Sequence, residues 1–168
     1  ISEAVETARE NGCLDLILLH CISGYPAPPE QSNLLTIPDL AKKFNVLSGL
    51  SDHTTGTAVA TTSVGLRACV IEKHFTLSRA DKGPDSEFSL EPDELRQLCR
   101  DVKIAWKSLG FAGYELKDSE KNAQKHRRSL YVVKDIRKGE NFTIENIRSI
   151  RPGLGLPPKY LNKVLSSK

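Results

Sequence analysis

The sequence contains no methionine among its 168 residues, so it does not begin as a newly translated chain does. We therefore expect the chain to be a fragment of a longer protein. It also has no apolar run of about 18 residues and no signal-peptide pattern, which are typical of membrane-spanning and secreted proteins. We expect neither membrane insertion nor secretion.

Cysteines are few, and their spacing does not match a metal or redox motif. Cys13, Cys21, Cys69 and Cys99 show no C-x-x-C pattern. Three of them lie in apolar contexts, in which a reduced thiol behaves as a small hydrophobic side chain. This pattern of cysteines favours a cytoplasmic protein.

A large excess of one charge is also missing. Lys and Arg number 24 against 21 Asp and Glu, which gives a formal net charge of +3. The basic run at residues 125–128 is typical of a solvated linker, whereas a nucleic-acid interface needs a broader basic surface. We expect no nucleic-acid partner.

Three short apolar runs predict β-strands, and each is followed by a segment with helical character. The strands are residues 14–20, 46–50 and 69–74, and the helices are residues 33–43, 55–66 and 92–109, with a further helix at residues 1–10. This alternation predicts a parallel α/β sheet. About three and a half strand–helix units are present, whereas a (β/α)8 TIM barrel needs roughly 250 residues. We therefore expect the C-terminal part of such a barrel, with open sheet edges.

Polar side chains follow each of the three predicted strands. They are Ser23 and Tyr25, Ser51 and His53, and Glu72 and His74. Because the carboxyl ends of parallel strands share one face, these side chains are predicted to converge on one pocket.

A second domain is predicted after the last barrel-type helix. The boundaries are residues 1–109 for the barrel portion, 110–128 for a polar linker and 129–168 for an incomplete β-rich domain. In the last of these, residues 129–134 and 142–150 favour strands. Residues 151–158 are too rich in Pro and Gly for regular structure.

Five separated segments carry a resemblance to a known family. They are LLHCISGYPAP, GLSDHTTG, VIEKHFTLSRADKGPDSEFSLEP, RRSLYVVKDIRKGE and IRPGLGLPPKYL. Together they resemble the sialic acid synthase family over essentially the whole chain. The resemblance implies a TIM barrel, a linker and an antifreeze-like (SAF) domain, in a homodimer whose subunits exchange SAF domains. Enzymes of this family condense phosphoenolpyruvate with an open-chain N-acylated sugar, which yields a nonulosonic acid and phosphate.

The resemblance also implies roles for individual residues. His53 and His74 would bind a divalent metal, Mn²⁺ or Mg²⁺, and two imidazoles with exchangeable oxygen ligands suit Mn²⁺. Glu72, two residues before His74 and so on the same strand face, and Asp85 would be the catalytic carboxylates. The substrate-binding positions would be Ser23, Tyr25 and Ser51 for phosphoenolpyruvate, and Arg151 for the sugar in the partner subunit.

Simpler structural roles suit the same residues. A single histidine at a strand end is more often structural than a metal ligand. Glu72 is open to an ion pair with Lys73 or Arg79, and Asp85 to a turn-capping role. The loop serines likewise suit turns or helix caps.

Two positions differ from the residues that are usual in the family. Arg67 stands where glycine is usual at a helix end, which costs on the order of 1 kcal/mol if the backbone there is left-handed. Ile22 stands where threonine is common, which removes a hydroxyl near the pocket.

The identity of the sugar substrate is indicated by individual residues within these segments. Leu50 and residues 85–89 resemble the pseudaminic acid branch, whose sugar is 2,4-diacetamido-2,4,6-trideoxy-altrose. The N-acetylneuraminate and N,N'-diacetyllegionaminate branches are the alternatives. A hypothesis of another class, a non-catalytic truncated fragment, stays open, and a different metal-dependent barrel aldolase is a third possibility. We expect this fragment alone to be inactive.

Overall fold

The computed structural model describes residues 1–167, except the side chain of Gln124, so the final residue of the predicted C-terminal domain lies outside the described part. The chain divides into two compact units, Ile1–Phe111 and the residues from Ala112 onward. Among the described residues, none of the helices combines the length and the apolar character that a membrane crossing requires.

The first unit alternates helices and strands. In chain order its elements are α1 (Ser2–Glu10), β1 (Ile17–Cys21), α2 (Thr36–Phe44), β2 (Leu47–Asp52), α3 (Ala58–Gly65), β3 (Ile71–Lys73) and α4 (Pro92–Leu109). The strands form one parallel sheet in which β2 lies between β1 and β3. The predicted parallel α/β sheet is therefore confirmed.

A glycine in β2 allows the close approach of its neighbours. A Cβ atom at Gly49 would lie 2.7 Å from Leu19 Cδ2 and closer still to the Val70 carbonyl oxygen. Any larger residue would push β1 or the chain before β3 away. The absence of a side chain at Gly49 thus lets the neighbouring chain segments approach β2 closely, just before the polar strand ends.

A small apolar core joins the sheet to its last two helices. Ala60 of α3 and Leu98 of α4 are almost fully buried, as is Leu90, and they pack together with Ile71 of β3. α4 begins as predicted because Glu91 and Glu94 form a reciprocal capping box, with a proline at the first helical position. The core fixes α4 against the edge strand β3.

α3 is shorter than predicted at both ends. Residues 55–57 form a bent loop instead of the predicted start of the helix, and Gly56 adopts φ +74°. Just before them, Asp52 Oδ1 accepts a hydrogen bond from the Thr54 N–H at 2.9 Å. After the helix, Arg67 adopts φ +70°. The left-handed backbone that would favour glycine at this position is present.

The second unit contains a two-stranded antiparallel sheet. Its elements are α5 (Asp118–Lys121), β4 (Ser129–Val132), β5 (Ile147–Ile150) and α6 (Leu161–Leu165). β4 and β5 pair from Ser129 opposite Ile150 to Val132 opposite Ile147. The second strand is shorter than predicted because the Thr143 N–H donates to Asn146 Oδ1 at 2.7 Å and forms a turn there.

Candidate active site

The carboxyl ends of β1, β2 and β3 lie side by side. The ladder pairs Cys21 of β1 with Ser51 of β2, and Ser51 with Glu72 of β3. Continuing that register by two residues along β2 and β3 leads to His53 and His74. The predicted site residues of the three strands therefore emerge from the same edge of the sheet.

The two histidines are close neighbours. Their ring centroids are 5.1 Å apart and their planes are inclined by 74°. His53 is buried, with 7% of its surface exposed, whereas His74 keeps about 31% of its side chain exposed. One imidazole is thus fixed in the protein and the other faces the open side of the site.

The hydrogen bonding of His53 fixes its tautomer. Its Nδ1 atom lies 2.8 Å from the Ile22 carbonyl oxygen, which can only accept. Nδ1 must therefore carry the proton, and the neutral ring presents its lone pair at Nε2. A carbonyl partner of this kind orients imidazoles that bind metals through the other nitrogen.

Aromatic rings pack around both imidazoles. The Tyr25 ring lies 4.3 Å from that of His53, and the Phe88 ring lies 5.0 Å from that of His74. Phe88 is buried, whereas Tyr25 is about half exposed. The two rings thus pack against the imidazoles, and much of the Tyr25 surface stays exposed.

The two predicted carboxylates have different environments. The Ser51 hydroxyl donates to Glu72 Oε1 at 2.7 Å, so Glu72 is held by a hydroxyl and not by Lys73 or Arg79. Asp85 Oδ2 lies 3.8 Å from His74 Nδ1, which is beyond hydrogen-bond distance. Glu72 is oriented by a hydrogen bond, and Asp85 faces the exposed histidine.

The remaining predicted residues lie further from this centre. Ser23 is exposed on the loop after β1, two residues before Tyr25. Arg151 is exposed in the second unit, directly after β5. Their substrate contacts stay predictions.

A loop of residues 75–90 forms one wall of the site. Arg79 fastens it to the start of α4, since Arg79 Nη2 donates to Glu94 Oε1 at 3.0 Å and the Arg79 N–H donates to Glu91 Oε1 at 2.8 Å. The hydrogen bond from Arg79 lowers the pKa of the Glu94 carboxyl, and the same contact raises the pKa of Arg79. A cavity of about 580 Å³ lies beside this wall and is lined by Tyr25, Asp85 and Phe88, among others.

Three contributors were not predicted from the sequence. Lys73 Nζ lies 2.9 Å from Asp52 Oδ2, and both side chains are almost fully buried. Asp52 directly precedes His53 and Lys73 directly precedes His74, and this spacing is the only sequence feature that could have indicated the pair. Phe88 carries no comparable signal, because its place depends on the path of a long loop.

Comparison with known proteins identifies both units. Residues 1–114 match the NeuB family, and residues 127–168 match the SAF domain. The chain belongs to the NeuB family. The resemblance to sialic acid synthases is confirmed, and with it the expected fold class of a TIM-barrel portion followed by SAF-domain sequence.

Relatives of this NeuB chain include synthases for several nonulosonic acids. The pseudaminic acid synthase of Campylobacter jejuni subsp. jejuni serotype O:23/36 is 42% identical over 97% of this chain and 48% of its own length. The N,N'-diacetyllegionaminic acid synthase of Campylobacter jejuni subsp. jejuni serotype O:2 is 41% identical over 93% of this chain and 48% of its own. The chain spans about half the length of these relatives.

A solved structure resembles this NeuB chain as well. It is the N-acetylneuraminic acid synthetase from Leptospira borgpetersenii in complex with citrate, with a TM-score of 0.65 and 35% identity. The match covers 76% of this chain and 44% of that one.

Sialic acid synthases of the NeuB family use a divalent metal, and the donor set at the strand ends fits such an ion. The His53 tautomer leaves Nε2 free to bind, and the exposed His74 lies beside it. Within residues 1–167, no cluster of three or more His, Cys, Asp or Glu forms a complete metal site. The two imidazoles would therefore supply part of the coordination shell, with oxygen ligands completing it.

Proposed function

We propose that the protein containing this chain is a pseudaminic acid synthase. It would condense phosphoenolpyruvate with 2,4-diacetamido-2,4,6-trideoxy-altrose, giving a nonulosonic acid and phosphate. The observation that carries this proposal is the pairing of two adjacent imidazoles with the Ser51–Glu72 hydrogen bond at one sheet edge. The choice of sugar rests on the 42% identity to a pseudaminic acid synthase and on Leu50 and residues 85–89.

The reaction forms one carbon–carbon bond and breaks one carbon–oxygen bond. C3 of phosphoenolpyruvate attacks the sugar aldehyde, and the aldehyde oxygen takes up a proton. Water adds to C2 and loses a proton. The C2–O bond to phosphate then breaks while the C2 hydroxyl loses its proton to the departing phosphate, which leaves the ketone of the product and free phosphate.

Glu72 is suited to the proton transfers at these centres. The Ser51 hydroxyl donates to one of its oxygens, which holds the carboxylate while the residue stays exposed on the strand end. It would take the proton from the water that adds to C2. A positioned carboxylate in this role typically contributes 10²–10⁴-fold to a rate.

His53 and His74 would hold a divalent cation, Mn²⁺ or Mg²⁺. When bound, the cation supplies Lewis-acid polarisation of the aldehyde oxygen. His53 would contribute Nε2, since its Nδ1 is committed to the Ile22 carbonyl. Asp85, facing His74 Nδ1, would orient that ring and the sugar hydroxyls.

The substrates would be bound by the loops around the histidines. Ser23 and Tyr25 would contact phosphoenolpyruvate, with the Tyr25 ring packed on His53 and its remaining surface exposed. Arg151 would reach the sugar site of a second subunit in a domain-swapped homodimer. We place this reaction in the cytoplasm.

A second candidate is N,N'-diacetyllegionaminic acid synthesis. It is favoured by the 41% identity to a synthase of that type. The two reactions share the same bond changes and differ in the sugar, so the choice of sugar separates them.

The decisive experiment measures phosphate release by the whole protein with Mn²⁺, phosphoenolpyruvate and each of three candidate sugars: the altrose sugar, the legionaminic acid precursor and N-acetylmannosamine. We expect activity with the altrose sugar and a loss of at least about 100-fold in His53→Ala. His126→Ala, which changes an exposed histidine of the second unit, is the matched control and should retain activity. Activity with only the legionaminic precursor or with only N-acetylmannosamine would overturn the pseudaminic assignment. Full activity in the double variant His53→Ala/His74→Ala would overturn the metal site.

A further inference from the structure

A buried ion pair joins the two residues that directly precede the histidines in β2 and β3. Lys73 Nζ contacts Asp52 Oδ2 at 2.9 Å, and the two side chains are 3% and 1% exposed. Burying two charges costs several kcal/mol per ion in desolvation, so such a pair adds little stability compared with apolar residues of similar size. Its presence beside the site calls for another role.

The pair occupies the last position of the β2–β3 ladder. Asp52 and Lys73 are registered opposite each other, and the residue after each is a histidine of the candidate site. Successive side chains of a strand point to opposite faces. The ion pair therefore joins β2 to β3 on the face away from Ser51 and Glu72, at the level where the histidines leave the sheet.

The same two side chains also fix the residue that follows His53. Asp52 Oδ1 accepts from the Thr54 N–H at 2.9 Å, and Lys73 Nζ donates to the Thr54 carbonyl oxygen at 2.6 Å. The main chain on the far side of His53 is thus tied to both strands. Loss of Lys73 or Asp52 would remove hydrogen bonds that hold the main chain next to His53.

We infer that Asp52 and Lys73 are positioning residues that set the spacing of the His53 and His74 imidazoles for the divalent cation. This inference rests on the proposed function, because it takes the two histidines as ligands. Residues that orient metal ligands typically change metal affinity 10- to 100-fold when they are replaced. Neither Asp52 nor Lys73 needs to contact the ion or the substrates.

The test measures Mn²⁺ binding to the whole protein by calorimetry and the electron paramagnetic resonance spectrum of the bound ion. Lys73→Met is expected to weaken Mn²⁺ binding about 10- to 100-fold and to alter the spectrum. Lys73→Arg keeps a cation at that position and should retain most of the wild-type affinity for Mn²⁺. Lys42→Met, at an exposed lysine of α2, is the matched control and should bind as the wild type does.

A second variant separates positioning from folding. Lys73→Met alone leaves Asp52 charged and buried, which destabilises the fold, whereas Asp52→Asn/Lys73→Met removes both charges. We expect the double variant to unfold at a temperature near that of the wild type and still to bind Mn²⁺ about 10-fold more weakly or worse. A folded double variant with wild-type affinity and spectrum would overturn the inference.

The parent proposal is judged by different variants. If His53→Ala and His74→Ala both bind Mn²⁺ as the wild type does, the metal site itself is wrong. If they lose binding while the folded ion-pair variants keep it, the metal site stands and only the positioning role is wrong.

Discussion

At the scale of single residues, the proposed reaction depends on a hydroxyl and a carboxylate from neighbouring strands. Ser51 is buried, and its hydroxyl lies 2.7 Å from Glu72 Oε1. A hydrogen bond to a charged group contributes about 1.5–3 kcal/mol. Ser51 therefore holds Glu72 in one orientation, whether or not it also touches a substrate.

Ser51→Ala is expected to lower kcat about 10- to 100-fold through the loss of this hydrogen bond. If Ser51 acts only through Glu72, the KM for phosphoenolpyruvate should stay within about threefold, whereas the predicted contact of Ser51 with phosphoenolpyruvate would raise it. Steady-state phosphate release gives both values. Ser108→Ala, which removes a hydroxyl bonded within α4, is the control. A large rise in KM with unchanged kcat would instead assign Ser51 to substrate binding.

Arg67→Gly is expected to stabilise the protein by about 1 kcal/mol, because Arg67 adopts φ +70° and glycine adopts that conformation without a steric penalty. Denaturant unfolding of the whole protein measures the change. Arg67→Ala removes the same side chain but retains Cβ, so it should give no comparable gain. Equal stabilisation by both substitutions would contradict the backbone explanation.

At the scale of elements, the loop wall of the site depends on the first turn of α4. Arg79 binds Glu94, and Glu94 also accepts from the Glu91 N–H at 2.8 Å. One carboxylate thus caps the helix and fastens the loop that carries Asp85 and Phe88. The position of two site residues is coupled to a helix start outside the cavity.

Glu94→Gln tests this coupling through its pH dependence. The pKa of Glu94 is lowered in the folded protein, so its contribution is present above the ordinary carboxyl pKa of about 4.3 and is lost as the pH falls through the lowered folded value. Glu94→Gln should therefore lower Tm at pH 7 and should differ less from the wild type near pH 3. Thermal unfolding at both pH values measures this. Glu10→Gln, at an exposed site on α1, should show a small difference at both. An equal deficit at both pH values would exclude the charged contact as the cause.

The elements with local signals could be predicted, and those set by distant contacts could not. The bounds of α4 follow from Pro92, its capping box and its apolar period, and the structure has the same bounds. The predicted start of β1 at residue 14 was too early, since the strand begins at Ile17. Leu14 belongs to the apolar run but is 95% exposed. Composition does not tell which part of an apolar run will be covered.

The same distinction holds for the candidate site. His53 and His74 could be placed on one edge because strand order and alternation follow from the local pattern. The Asp52–Lys73 pair could not, because it depends on the register between β2 and β3, and a shift of one residue would separate the two side chains.

At the scale of the whole molecule, the first unit presents uncovered apolar surface. β1 and β3 are the edge strands of its sheet, and an open groove of about 460 Å³ lies beside β3. The groove is lined by apolar residues that include Val102 and Trp106, and Trp106 is 69% exposed. Open edges and apolar grooves of this kind favour association with other chains.

The 168-residue chain purified alone is expected to self-associate and to bind the dye ANS, because its sheet edges and its groove are open. Light scattering after size exclusion and dye fluorescence measure the two properties. Trp106→Ser should reduce dye binding by the isolated chain. A dye-free monomer of 168 residues would contradict the expectation.

The hydrogen-bond acceptor that orients His53 is a main-chain carbonyl, that of Ile22. Substitution of Ile22 exchanges its side chain but retains the carbonyl oxygen that accepts the hydrogen bond from His53 Nδ1–H. The position is thus free to vary during evolution without loss of the imidazole tautomer. The side chain at residue 22 can therefore change beside the candidate site while the hydrogen bond that orients His53 is inherited unchanged.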